Sequence, residues 1–191
     1  MENFTSKTKN KIVIWSYLFG SSIIFTTVYQ YMNGEEMKKY KDTIKLIIDD
    51  NVLAEYDKYY FSIHTKARNR PIPRPYHESI NKWMIMKRPM MNSLKQKWKD
   101  FIVWFVESKG YTNLQIDKCE MLFKTYYSNN RRHDTDNSVP KFIIDGLTLS
   151  KLIIDDDSEH LTKLTLQCFS DVDHPRTEII IKVLNEEEKE K

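Results

Sequence analysis

The chain has 191 residues, and its hydrophobic content of 40% places it among globular proteins rather than disordered ones. That length suits one domain with a real core and a small appendage. The net charge of +3 is too small for total charge to argue for nucleic acid.

The distribution of charge is more informative. Between Lys58 and Lys99 there are eleven Lys or Arg and one acid, Glu78. A local excess of this size is an electrostatic footprint for a polyanion, set against the alternative of a solvated face with acidic partners elsewhere in the fold. Two cysteines, Cys119 and Cys168, have no neighbour at metal spacing. They read as small buried hydrophobes in a reducing, cytoplasmic compartment.

Residues 1–11 are polar and basic, and residues 12–32 carry no charge. The uncharged run has the length of a membrane span, and the basic start invites a signal-peptide reading. Its serines, threonines, Gln30 and Gly20, with no cleavage motif after it, favour a short apolar element and a helix packed on the body. A membrane anchor is the alternative. Asn33-Gly34 is a turn, and Glu35 to Asp50 reads as a second helix with Met37, Tyr40, Ile44, Ile47 and Ile48 on one face. The pair reads as a packing appendage before it reads as a helix-turn-helix. Residues 1–57 are therefore expected to form an N-terminal helical extension and connector.

Tyr59 to His64 reads as a first strand. In Arg68-Asn69-Arg70-Pro71-Ile72-Pro73-Arg74-Pro75, the prolines forbid a helix interior and a central strand. Arg68, Arg70 and Arg74 are thus held on semi-rigid extended backbone, suited to presenting guanidinium groups to phosphates. A proline-rich signalling ligand is the competing reading. Lys87 and Arg88 precede a helix expected from about Asn92 or Ser93 to Ser108, stopped at Gly110. Its stripe of Leu94, Trp98, Phe101, Ile102, Phe105 and Val106 reads as core rather than as a base-stacking platform.

Leu114 to Tyr126 reads as the second strand, and Ser128 to Asp136 as a charged loop. A helix from about Asn137 or Ser138 to Ser150 takes Pro140 in its first turn. Ile153-Ile154 is short and extended. Leu161 to Cys168 and Thr177 to Leu184 alternate as two strands joined by a turn-rich hairpin connection. Residues 186–191 form a charged tail expected to be disordered. The expected fold is α+β, a small mixed sheet packed with two main helices in β-α-β-α-β-β order over residues 58–185.

The chemistry concentrates between Arg131 and His160. Asp134 and Asp136 end a loop, where extended backbone would turn both carboxylates to one side. Asp155, Asp156 and Asp157 return about twenty residues later. A hard cation such as Mg²⁺ takes one or two carboxylates plus water and phosphate oxygens. Lys141 could stabilise charge developing on a phosphate, and Arg131 and Arg132 offset the repulsion between acids and DNA. From spacing alone, a capped helix and a solvated turn account for the acids slightly better.

These residues resemble the RusA family of Holliday-junction resolvases. Arg131-Arg132-His133-Asp134-Thr135-Asp136-Asn137, Lys141, Asp145-Gly146-Leu147 and Asp156-Asp157-Ser158 follow the family's order of a basic run, D-x-D-N, lysine, D-A-L-like step and D-D. The likeness spans roughly Tyr59 to Leu184 and is specific across 131–158. It implies a homodimeric, Mg²⁺-dependent endodeoxyribonuclease (Mn²⁺ being the alternative ion) with no small-molecule cofactor. Such an enzyme nicks branched DNA in pairs, in a setting of recombination or repair. Carried over to this chain, the catalytic positions are Asp134, Asp136, Asp157 and Lys141. The metal ligands are Asp134, Asp136 and the Asp156-Asp157 pair, of which Asp157 matches the D-D-S end. Arg68, Arg70, Arg74, Lys87, Arg88, Arg131 and Arg132 are the expected DNA contacts. Lys141 lies one residue beyond the family spacing, across Pro140. The alternative is a junction-binding regulatory protein without catalysis. A third reading is a protein tethered through residues 12–32.

Overall fold

The computed structural model describes residues 43–184. The apolar stretch 12–32, the first part of the helix expected over Glu35–Asp50, and the tail 186–191 lie outside them. Among the described residues, no helix is long and apolar enough to cross a membrane.

The first strand, β1, is Thr43–Ile48. This replaces the end of the expected second helix. Ile44, Leu46 and Ile48 alternate inward while Thr43, Lys45 and Ile47 face out, a period of two that only a strand turns to one face. Asp49 then caps a helix, α1 (Asp50–Ile63), by accepting the Val52 amide at 2.9 Å. The strand expected at Tyr59–His64 is therefore the end of this helix. Val52, Leu53, Tyr56 and Tyr60 recur at helical spacing, and that stripe outweighs the strand preference of clustered aromatics. Tyr56 packs 5.0 Å from both Phe101 and Trp104. Residues 43–57 thus contribute to the main core through Ile44, Leu46, Ile48, Val52, Leu53 and Tyr56, and are not part of an appended extension.

The proline-arginine segment crosses to a single helical turn, α2 (Ile80–Trp83), and then to the long helix α3 (Arg88–Ser108). Pro89 sits in the first turn of α3, so the helix starts one turn before Asn92. Of its expected stripe, Trp98, Phe101, Ile102, Phe105 and Val106 are buried and Leu94 is partly buried. Gly110 follows it with φ +73°, a conformation that glycine adopts without steric cost.

Strand β2 is Cys119–Tyr127. A single 3₁₀ turn spans Thr135–Ser138, and α4 is Lys141–Leu149. The helix expected from Asn137 is divided here because Pro140 offers no amide. Its carbonyl instead accepts the amides of Ile143 and Ile144 at 3.0 Å. Strands β3 (Leu161–Ser170) and β4 (Arg176–Val183) are the last of the described elements.

The sheet order is β1-β4-β2-β3. Strands β3 and β4 do not form the expected hairpin. β4 pairs antiparallel with both β1 and β2, and β3 runs parallel to β2 on its other edge. The register stacks Ile44, Ile181 and Met121 in one row and Leu46, Ile179 and Phe123 in the next. Against this face lie α1, α3 and α4, with Trp98, Phe101, Phe105, Ile143 and Leu147 fully buried. The molecule is an α+β fold on a mixed sheet. Both cysteines are free, and burial pushes the Cys119 thiol up to about 11.

Candidate active site

The acidic loop leaves the end of β2. Asn129 Oδ1 accepts the Arg131 amide and lies 3.0 Å from His133 Nε2. The His133 ring stacks on Tyr127, centroids 3.6 Å apart and 9° from parallel. Asp134 then opens the 3₁₀ turn. Its carbonyl accepts the Asn137 amide, but its carboxylate makes no capping bond. That carboxylate is 63% exposed, with Arg132 Nε 4.0 Å away. Asp136 is also exposed, and its side chain has no hydrogen-bond or ion-pair partner among the described residues. The two aspartates therefore carry no cap, contrary to the structural alternative in which they serve the helix. The strand-like alternation expected to align them does not hold either: Asp134 is extended, whereas Asp136 lies inside the 3₁₀ turn.

Lys141 is the first residue of α4. Its Nζ lies 2.9 Å from Asp156 Oδ2 and 2.9 Å from Asp145 Oδ1. Lys95, on α3, reaches Asp145 Oδ2 at 2.8 Å. A line of alternating charge, Lys95–Asp145–Lys141–Asp156, thus ties two helices to the loop before β3. Hydrogen bonds from Lys141 to Asp145 and then to Asp156 raise the lysine pKa further, so the ammonium is charged at any ordinary pH. Burial works against Asp145, yet Lys95 and Lys141 hold its carboxyl below the usual range.

The two members of the D-D pair have different surroundings. Asp156 faces Lys141. Asp157 is turned into its own loop, where Oδ1 accepts the amides of Glu159 and His160 and lies 2.7 Å from His160 Nδ1. The His160 contact lowers the Asp157 carboxyl and raises the imidazole. The structure therefore brings Asp156, and not the Asp157 preferred from the D-D-S match, to the lysine. The segment is placed by a parallel bridge of Ile153 to Ile116, with the Ile154 amide donating to the Ile116 carbonyl at 3.1 Å.

The basic residues divide in the same way. Arg70 is bound to Asp57 at 2.7 Å and Arg74 to Glu78 at 3.0 Å. Arg68, Lys87, Arg88 and Arg131 are exposed without an ion-pair partner among the described residues, and the Arg132 side chain is 95% exposed. Beside the arginine loop, Tyr76 connects to the acidic one. The Arg74 guanidinium lies 5.5 Å from the Tyr76 ring, and the Tyr76 hydroxyl is 2.9 Å from Ser128 Oγ. Its ring meets Tyr127 edge-on at 4.9 Å, and Tyr127 carries His133. Thr177 Oγ1 also donates to the Pro75 carbonyl at 2.7 Å. The basic loop and the D-x-D-N turn are thus neighbours through named contacts.

Among the described residues, no group of three or more His, Cys, Asp or Glu side chains converges to hold a metal ion. Mg²⁺ needs only one or two carboxylates with water and phosphate oxygens, a demand that the exposed Asp134 and Asp136 could meet, whereas Asp156 is half-buried and already paired with Lys141. Lys95 was missed by sequence reasoning because no local spacing links it to Asp145. The Lys141–Asp145 pair, at i and i+4, was open to it.

No protein-family model matches the chain. No curated protein matches it either.

Proposed function

We propose that this chain is a Mg²⁺-dependent, structure-selective endodeoxyribonuclease that cuts four-way DNA junctions by paired nicks. The observation that supports the reading is the pairing of Lys141 with Asp156 across fifteen residues of sequence, together with two exposed aspartates, Asp134 and Asp136, that cap no helix on the turn leading into α4. When bound, the metal would polarise a phosphoryl oxygen and lower the pKa of a water. Asp134, Asp136 and the Asp156-Asp157 pair are the residues that would hold it. Lys141 supplies a fixed positive charge for the phosphate, and Asp145 with Lys95 orients it. Exposed Arg68, Lys87, Arg88, Arg131 and Arg132 neutralise backbone phosphates. A junction has two equivalent strands to cut, which a two-fold homodimer matches.

The test is nicking of a synthetic four-way junction with and without Mg²⁺. Asp136→Asn is expected to abolish nicking and to retain junction binding. Undiminished cleavage by that variant would remove Asp136 from the mechanism. A second reading is favoured by the engagement of Asp157 with His160 and of Lys141 with two carboxylates: a junction-binding protein without catalysis. Tight junction binding with no nicks in Mg²⁺ or Mn²⁺ would establish it.

A further inference from the structure

The corner between α2 and α3 exposes apolar side chains that the core does not use. Ile85 is 84% exposed, Met84 65% and Met90 60%. A single exposed apolar residue is ordinary, but here they gather on one projecting corner. Beside it lies a groove of about 500 Å³. Pro71, Pro73, Met86, Met90 and Leu94 form its apolar lining, with Arg70 and Lys97 among its walls.

The unpaired charge around this corner is positive. Lys87, Arg88 and Lys97 have no ion-pair partner among the described residues. The acids bonded to this region are already taken, Glu78 by Arg74 and Lys82 and Asp57 by the groove residue Arg70. A second copy docking here by two-fold symmetry would set these cations against each other. An apolar protein partner would have to supply acids at each one. A nucleic acid meets both demands at once, with phosphates for the cations and base faces for the apolar tip. The surface is also continuous with the candidate site, because Arg70 lines the groove and belongs to the loop that Tyr76 joins to the D-x-D-N turn.

We infer that Met84 and Ile85 form an apolar wedge that enters the base stack of DNA where the duplex is interrupted, while Lys87, Arg88 and Lys97 hold the flanking phosphates. Apolar side chains inserted at a base step pay for unstacking with contacts to the bent DNA. A branch point has already lost part of its stacking, so the wedge favours junctions over intact duplex without reading sequence. This rests on the reading that the chain acts on branched DNA, and it assigns the selectivity to residues outside the acidic site.

The experiment uses the full chain in EDTA, so that binding is read without cleavage. The probes are a four-way junction carrying 2-aminopurine at the branch point and a linear duplex of the same sequence. Wild type is expected to raise 2-aminopurine fluorescence on the junction. The Met84→Ala/Ile85→Ala variant, altered only at exposed positions, should keep the wild-type melting temperature and duplex affinity. It should lose the fluorescence rise and roughly tenfold of the junction preference. Lys87→Ala/Arg88→Ala should weaken binding to both DNAs. An unchanged fluorescence rise in the Met84/Ile85 variant overturns the wedge. So does a wild-type dimer that this variant converts to monomer in sedimentation, which would assign the corner to a second copy. Wild type that unstacks the junction but never nicks it in Mg²⁺ sinks the nuclease reading alone. Wild type that nicks while the variant unstacks equally well sinks the wedge alone.

Discussion

His77 is the buried residue with the clearest dependence on its surroundings. Its ring packs against Phe142 at 4.9 Å and Trp98 at 5.5 Å. Nδ1 lies 2.6 Å from the Glu78 carbonyl, so it carries the proton and donates, and Nε2 is buried without a partner. Burial pushes the imidazole down to about 4, against the pull of the Glu78 carbonyl, Glu78 and Asp145. The unfolded chain binds a proton near pH 6.5 while the folded one does not, so stability falls as pH drops from about 6.5 towards 4. The loss is up to about 3 kcal/mol. His160, raised by Asp157, acts in the opposite direction at the surface. Urea denaturation at pH 7 and pH 4.5 should show this loss in wild type and a flatter response in His77→Phe. Equal pH dependence in both proteins would clear His77 of the effect.

At the scale of elements, α3 and α4 meet at one close approach. A Cβ on Gly146 would lie 2.6 Å from Ile102 Cβ. Helix propensity alone predicts that alanine here gains about 1 kcal/mol. Overpacking costs about 1–3 kcal/mol, and the backbone-side position of the clash leaves little room for relaxation. Gly146→Ala should therefore lower the midpoint of chemical unfolding, with Ile102→Ala in the same chain recovering part of the loss. A more stable Gly146→Ala protein would show that the helices slide apart freely. The elements also show where local reading stops. The α3 stripe was legible because its apolar period is long. The end of α1 was not, because Tyr59, Tyr60 and Phe61 carry strand preference and the deciding contacts, Tyr56 and Tyr59 with Trp104, are remote in sequence. The β3–β4 turn looked like a hairpin, yet β4 gains more by filling the gap between β1 and β2 with Ile179 and Ile181.

For the whole molecule, the +3 net charge conceals how the cations are used. Some are engaged within the chain, as Arg70 is with Asp57 and Arg74 with Glu78, and others are open. On the proposed function, DNA affinity should fall steeply with salt, and Arg88→Ala should reduce the log–log slope by about 1. Arg70→Ala should change it less, since Asp57 already neutralises that guanidinium. A titration of binding against salt concentration checks both, and equal slopes for the two variants would contradict the division. The α+β class was legible because apolar period is local, and the Lys141–Asp145 pair because its i, i+4 spacing is local too. The partnership of Lys95 with Asp145 and the choice of Asp156 over Asp157 at Lys141 depend on how α3, α4 and the following loop pack.

The position of β4 has one further consequence. Among the described strands it is the last in sequence, yet it lies inside the sheet, and of those strands β1 pairs with it alone. Thr43 must wait for Lys182 before its ladder closes. During synthesis, β1 therefore has no strand partner among the described residues until β4 has emerged. A chain stopped before Arg176 would lack the strand that joins β1 to β2, with Ile44, Leu46 and Ile48 deprived of their cross-strand partners.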